Sequence, residues 1–141
     1  MWCINSSSRT SLLLWRTDQQ IFRVVQAGQL ASMLTNSDYI IFDKKFKPIL
    51  DKLSGQINQK PITINDDVKQ SSTDNFIEIE ILAEVSQQQI IRDDNHGLMI
   101  RRFGREYVFV SHDLMNEFKR MSENDFDFTQ GLQNFTGTGS R

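Results

Sequence analysis

The stretch Phe76-Ile77-Glu78-Ile79-Glu80-Ile81-Leu82 alternates isoleucine with glutamate, and this period of two is typical of a β-strand that buries one face. Its isoleucines would point into a core, while Glu78 and Glu80 would point to solvent. A strand of this kind needs a second layer to cover its apolar face. The sequence on either side therefore has to supply further strands and helices.

The chain before this strand consists of short apolar segments separated by polar residues. Residues 11–15 and 21–25 predict a hairpin, and the helical spacing of apolar residues in 27–34 predicts a short helix. Residues 39–42 predict a strand, and the segment after it predicts a helix with Pro48 in its first turn.

The regions that flank the alternating stretch directly predict one loop and several strands. Residues 61–64 predict a short strand, and 65–75, the most polar part of the chain, predicts a surface loop. Beyond the stretch, residues 90–91, 98–100 and 106–110 predict a three-stranded antiparallel meander. Ser111 then predicts the cap of a helix. The apolar face of this helix would consist of Leu114, Met115, Phe118 and Met121.

Two segments of the chain, residues 38–53 and 106–121, share one pattern. Each has an acidic residue, a tyrosine, three apolar residues and a capping side chain, followed by apolar residues at matching helical positions. The match indicates either an internal pseudo-repeat or the ordinary pattern of any strand-to-helix unit that packs on a sheet.

The composition of residues 1–141 predicts one globular domain, with 38% hydrophobic and 24% charged residues. Its apolar runs are a few residues long, against the roughly 20 of a transmembrane helix, and a single cysteine, Cys3, excludes an internal disulfide. The net charge of −2 gives no overall field that would recruit nucleic acid or an anionic membrane. We expect a single α+β domain, with a mainly antiparallel sheet, two or three helices packed on it and a flexible tail at about 136–141.

An acidic and aromatic stretch late in the chain is the first candidate for a partner-binding surface. Its carboxylates could imitate nucleic-acid phosphates in front of a basic partner, and an aromatic ring could anchor the contact. The alternative is that the aromatic residues complete the core while the acids face water. Glu78 and Glu80 are a second acidic candidate. The candidates in the later stretch are Glu123, Asp125, Phe126 and Asp127.

Arg101, Arg102 and Arg105 form a basic cluster that could stack on bases or bind phosphate. This cluster predicts the alternative function, a small nucleic-acid-associated regulatory protein that uses a basic hairpin. A solvated hairpin face or a protein interface explains the same residues. Trp2 and Trp15 would be interface anchors if their side chains are exposed.

Asp93, Asp94 and His96 could converge on a divalent cation. Their context, Asp-Asp-Asn-His-Gly, is however typical of a hairpin turn and matches no calcium loop or zinc-binding helix. We therefore expect no metal at these residues. Because the sequence also has no catalytic motif, we expect no cofactor and no catalytic residue.

The unit that runs from Tyr107 through Ser111 to Phe118 resembles the closing element of small immunity proteins from bacterial polymorphic and contact-dependent growth inhibition toxin systems. In those proteins a last strand follows, introduced by a Thr-Gly pair and an aromatic residue. Residues 128–135 stand in that place here, with Gln130 between the threonine and the glycine.

The upstream unit, residues 39–53, resembles the first copy in the same families, and the matched segments cover about a third of the chain. The resemblance implies a non-enzymatic protein that binds a toxin domain produced with it, in the cytosol of the producing cell. It would neutralise the toxin by occluding its active or substrate-binding surface. The expected partner is that toxin domain, and no membrane, nucleic acid or small-molecule ligand is expected.

Overall fold

The computed structural model describes residues 1–92, 96–105 and 107–132. The turn predicted around 93–95 and the tail predicted at about 136–141 lie outside the described residues. The strands are β1 (Trp2–Ser6), β2 (Leu13–Asp18), β3 (Ile21–Gln26), β4 (Met33–Thr35), β5 (Ile40–Asp43), β6 (Ile57–Asp66), β7 (Ser71–Ile81), β8 (Ile100–Phe103), β9 (Tyr107–Val110) and β10 (Phe126–Gln130). The helices are α1 (Lys47–Leu50), which lies between the 3-10 turns Lys44–Phe46 and Asp51–Leu53, α2 (Gln87–Ile91) and α3 (His112–Met121).

The strands form two sheets, where the sequence predicted one, and the protein is a single α+β domain as expected. The first sheet has the strand order β10-β1-β9-β8, and its pairings are antiparallel. The second has the order β2-β3-β6-β7-β5-β4, in which β3 and β6 are parallel and the other pairs antiparallel. Within the described ranges, no helix is long and apolar enough to cross a bilayer.

The main core contains buried residues from both sheets and from α1 and α3. Phenylalanine rings form a connected group inside it. The ring centroids of Phe46 and Phe126 are 4.9 Å apart, and those of Phe118 and Phe126 are 5.2 Å apart. Phe42 stacks on Phe118 at 5.7 Å. These distances and tilts are those that aromatic pairs favour, so this group is a densely packed part of the core.

The second sheet also buries part of its other face, where Phe22, Ile41 and Phe76 belong to a separate apolar cluster. The Tyr39 hydroxyl accepts a hydrogen bond from the Leu14 N–H at 3.3 Å. This bond joins β2 to the residue before β5, although three strands separate β2 from β5 in the sheet order. The sheet therefore curls, and side chains on its concave face are covered by strands that are not their neighbours.

The strand predicted at 76–82 is confirmed as the second half of β7. The surface loop predicted at 65–75 is wrong, because most of that segment forms the end of the long β6–β7 hairpin. Polar side chains join the two strands there, and the Ser72 hydroxyl lies 2.8 Å from Asn65 Oδ1. Because these strand ends keep polar residues, they have no apolar alternation that would reveal them.

The helix predicted at 27–34 is also wrong, because this segment is irregular and leads into β4. The Ser11 hydroxyl donates a hydrogen bond to the Ala27 carbonyl at 2.8 Å. A Cβ atom at Gly28 would lie only 2.2 Å from the Leu12 nitrogen. Close contact with residues earlier in the chain therefore fixes this segment, and only glycine permits that approach.

The predicted three-stranded meander is corrected to the β8–β9 hairpin, because Ile90 lies in α2. Ser86 and Gln89 form a capping box, in which each side chain accepts a hydrogen bond from the other residue's N–H. This Ser-x-x-Gln spacing is a sequence signature of a helix start. The helix predicted after Ser111 is confirmed as α3, although Met121 at its end is exposed.

The two segments of shared pattern, 38–53 and 106–121, contain β5 with α1 and β9 with α3. Asp43 caps the turn after β5 with its side chain, and Ser111 caps α3. Pro48 lies in the first turn of α1, as predicted. The first unit belongs to the six-stranded sheet and the second to the four-stranded sheet. A common origin of the two units stays a prediction.

Cys3 lies in β1 with a buried side chain, and burial raises the pKa of its thiol to about 11. The native thiol is therefore neutral at pH 8, where a pKa two units above the ordinary value leaves roughly 100-fold less thiolate. We expect a disulfide reagent to modify native Cys3 at least about 100-fold more slowly than the urea-unfolded chain. Absorbance of the released thiol measures both rates.

The same pKa predicts how alkali affects stability. Between pH 9 and about 11 the unfolded chain loses the Cys3 proton while the folded protein keeps it. The free energy of unfolding therefore falls as pH rises through this range, and a Cys3→Ala variant should lack this part of the decline. Equal reactivity of Cys3 with and without urea would show that the thiol is open to solvent and would contradict both expectations.

Candidate functional site

A concave surface of the second sheet, which we name the Glu78 groove, encloses about 620 Å³. It is lined by residues of β6 and β7, by the start of β5 and by the β8–β9 hairpin. The volume lies within the roughly 300–1,000 Å³ that is typical of binding sites. The charged side chains along it are Arg16, Asp38, Lys60, Glu78, Glu80, Arg102 and Arg105.

Glu78 in this groove is buried, which corrects the solvent-facing position predicted from the alternation. Its Oε1 atom accepts a hydrogen bond from Arg16 Nη1 at 2.8 Å, and its Oε2 atom accepts one from Arg16 Nη2. Lys60 Nζ lies 3.4 Å from Oε1. The Arg16 guanidinium also lies over the Phe22 ring, 4.6 Å from its centroid. The curl of the sheet thus covers Glu78 with a side chain from β2.

The contact between Arg16 and Glu78 cross-links β2 and β7 across the concave face. Hydrogen bonding to Glu78 raises the pKa of Arg16 above its ordinary value. Both carboxylate oxygens of Glu78 accept from this guanidinium, which is the bidentate geometry of a strong arginine–carboxylate pair. Glu80 is exposed as predicted, and it accepts a hydrogen bond from Asn58 Nδ2 at 3.0 Å.

The basic cluster is divided between the groove and its surroundings. Arg101 is half-buried and donates to Gln56 Oε1 at 2.8 Å, away from the groove lining. Arg102 and Arg105 line the groove, and Arg102 forms an ion pair with Glu84. Two of the acidic candidates, Glu78 and Glu80, therefore meet two of the basic ones on one surface of mixed charge. Such a surface is less suited to a phosphate backbone than a uniformly basic one.

The later acidic stretch does not line the Glu78 groove. Phe126 is only 6% exposed and packs in the main core, so the expectation of a surface anchor is corrected for this ring. Asp125 forms an ion pair with Lys45, whose Nζ lies 2.8 Å from Asp125 Oδ2. Glu123 and Asp127 are exposed. The stretch thus offers two solvent-facing carboxylates rather than a combined acidic and aromatic surface.

The ion pair between Lys45 and Asp125 predicts that the free energy of unfolding depends on pH in the acidic range. The hydrogen bond with Lys45 lowers the pKa of Asp125. A carboxyl group with a lowered pKa stabilises the folded state above its ordinary pKa of about 3.9, and this contribution is lost as pH falls further. We expect Asp125→Asn to lower the free energy of unfolding by about 0.5–1 kcal/mol at pH 7, and the difference from the wild type to shrink towards pH 2.

Urea titrations across this pH range measure the effect of Asp125→Asn. Asp127→Asn is the matched control, because Asp127 is exposed in the same stretch. The control should change the free energy of unfolding by less than the Asp125 variant at pH 7. A difference between Asp125→Asn and the wild type that stays constant from pH 7 to pH 2 would contradict the role of this ion pair.

The sequence did not indicate Asp38 and Tyr39 as site residues, and it left open whether Trp15 is exposed. Asp38 and Tyr39 line the Glu78 groove, and burial raises the pKa of Tyr39. Trp15 is 60% exposed, whereas Trp2 is half-buried. The order of residues in β2 carries a usable signal, because neighbours in a strand face opposite sides. If Leu14 is buried, Trp15 has to face outward.

The groove thus combines paired charges, the exposed carboxylates of Asp38 and Glu80 and a nearby exposed aromatic ring. Within the described part of the chain, no three His, Cys, Asp or Glu side chains lie close enough to hold a metal ion together, and Asp93 and Asp94 are outside that part. Compared with models of known protein families, with curated proteins and with solved structures, the chain matches none.

Proposed function

We propose that this protein is an immunity protein that binds a cognate bacterial toxin domain in the cytosol and neutralises it by occluding its active or substrate-binding surface. The observation that carries the proposal is that the exposed Trp15 and Asp38 line one pocket, next to the groove that Asp38 and Glu80 line. Tryptophan is enriched among the few residues that dominate protein–protein affinity. The resemblance of residues 107–118 to immunity proteins supports the same function.

The Glu78 groove carries both charges, and its exposed carboxylates suit the cationic side chains of a partner. A toxin domain that acts on nucleic acid presents a basic surface to its substrate. Carboxylates at Asp38 and Glu80, or at Glu123 and Asp127, would compete for that surface through complementary charge. Inhibition by occlusion then needs no chemical step in this protein.

The test is co-expression of this chain with the C-terminal domain of the protein whose gene lies immediately upstream, followed by scoring of host survival and of a co-purified complex. The wild type should rescue growth. The double charge reversal Asp38→Lys with Glu80→Lys should abolish rescue, because two cations would repel a basic partner. Asp67→Lys is the matched control, since Asp67 is exposed in the turn between β6 and β7, and it should rescue like the wild type.

A second double variant, Glu123→Lys with Asp127→Lys, decides between the two acidic surfaces. Loss of rescue in this variant alone would move the interface to the later stretch. Failure of the wild type to rescue, although the domain is toxic alone, would overturn the proposal. Binding to DNA and RNA across a salt series, with Arg105→Glu as the variant, would then test the nucleic-acid alternative.

A further inference from the structure

A smaller pocket adjoins the Glu78 groove and shares three residues with it. Its volume of about 290 Å³ lies at the lower limit of the roughly 300–1,000 Å³ found for small-molecule sites. It is therefore better suited to one side chain than to a cofactor. We name it the Trp15 pocket. Its lining consists of Leu14, Trp15, Arg16, Phe22, Asp38 and Tyr39.

The apolar part of the Trp15 pocket is firmly packed. Leu14 and Phe22 are buried, and the rings of Phe22 and Tyr39 meet edge to face with centroids 5.6 Å apart. The hydrogen bond from the Leu14 N–H to the Tyr39 hydroxyl holds the two sides of the pocket together. Trp15 adds a large aromatic surface that is mostly open to solvent. The pocket is thus preformed, which lowers the entropic cost of binding.

The polar part of the pocket consists of the Arg16 guanidinium and the Asp38 carboxylate. The guanidinium of Arg16 donates to the Glu78 carboxylate and to the Gln19 carbonyl. Asp38 is exposed, and after the hydrogen bond with Glu78 its negative charge also contributes to the raised pKa of the nearby Arg16. Within residues 1–92, 96–105 and 107–132 its carboxylate accepts no hydrogen bond and forms no salt bridge. A carboxylate with free acceptors beside an aromatic surface matches a planar cation.

We propose that the Trp15 pocket binds an arginine side chain of a partner protein. The guanidinium stacks on Trp15 and donates hydrogen bonds to Asp38. Arginine fits better than lysine because its planar group stacks and donates in a fork at the same time. This inference rests on the proposed function. It identifies an arginine side chain as the group of the toxin domain that the pocket binds.

The experiment uses two capped pentapeptides, Gly-Gly-Arg-Gly-Gly and the same peptide with citrulline, a neutral isostere of arginine. Each is titrated into the ¹⁵N-labelled protein, and the indole N–H resonances of Trp15 and Trp2 are followed by NMR. Trp2 is the internal reference, because it lines neither the groove nor the pocket. The Trp15 resonance should shift saturably, with an affinity for the arginine peptide at least about tenfold above that for the citrulline peptide.

Asp38→Asn should reduce this selectivity to about twofold or less, because the charged acceptor is lost. Asp67→Asn, the matched exposed control, should keep it. Equal affinity for the two peptides, no saturable shift of Trp15, or the same loss in Asp67→Asn would overturn the proposal. Peptide selectivity without rescue in co-expression would reject the immunity function alone, and rescue without peptide selectivity would reject the arginine pocket alone.

Discussion

Replacement of Phe118 by alanine is expected to lower the free energy of unfolding by about 3–5 kcal/mol. The Phe118 side chain is fully buried in the main core. Alanine would leave a cavity that the neighbouring rings could fill only by giving up their present packing. The loss is a large part of the roughly 5–15 kcal/mol that stabilises a domain of this size. The rings around it are those of Phe42, Phe46 and Phe126.

Urea unfolding followed by circular dichroism measures this loss. Val68→Ala is the control, because Val68 is 95% exposed and its truncation should change the free energy of unfolding by less than about 0.5 kcal/mol. Phe118→Leu, which keeps an apolar side chain in the core, should cost less than Phe118→Ala. A loss below about 1 kcal/mol for Phe118→Ala would contradict the claim that packing of the Phe118 ring stabilises the main core.

Replacement of Arg16 by methionine is expected to lower the free energy of unfolding by about 2–3 kcal/mol. The change leaves the buried Glu78 carboxylate with Lys60 at 3.4 Å and without its bidentate partner. Breaking a fully buried ion pair typically costs about 3–5 kcal/mol. The Arg16 side chain is 38% exposed, so solvent screens part of the interaction and the expected cost is smaller.

The double variant Arg16→Met with Glu78→Met should be closer to the wild type than Arg16→Met alone, within about 1 kcal/mol. Two apolar side chains of similar length remove both charges, so no unpaired carboxylate remains buried. Arg102→Met is the control, since it breaks the exposed ion pair with Glu84 and should cost at most about 1 kcal/mol. A double variant as unstable as the sum of both single variants would show that the two residues act independently.

The parts of the fold with a one-sided apolar pattern could be predicted from the sequence. The alternation at 76–82 predicts the second half of β7, and the capping residue Ser111 with its apolar spacing predicts α3. The segments that failed depend on other information. Residues 65–75 pair through polar side chains, and 27–34 is fixed by contacts with residues near Leu12. Neither feature leaves a periodic pattern in its own segment.

The candidate site could be predicted only in part. The alternation places Glu78 and Glu80 on one face, which is right, but it cannot tell that the sheet curls over Glu78. That burial depends on Arg16, which is 62 residues earlier in the chain. Trp15 and Asp38 line one pocket for the same reason, because the curl of the sheet brings β2 close to the start of β5. Contacts between strands distant in sequence therefore create the groove.

The most direct test of the proposed function is calorimetric titration of this protein into the purified C-terminal domain encoded by the upstream gene, once that domain is shown to be toxic alone. We expect a stoichiometric complex with a Kd below about 1 μM. The double variant Trp15→Ala with Asp38→Lys should weaken it at least about 100-fold, and Asp67→Lys should not. An active, folded toxin domain that gives no binding heat and forms no complex on gel filtration would contradict the proposed function. A Trp15 and Asp38 variant that binds like the wild type would contradict the proposed interface.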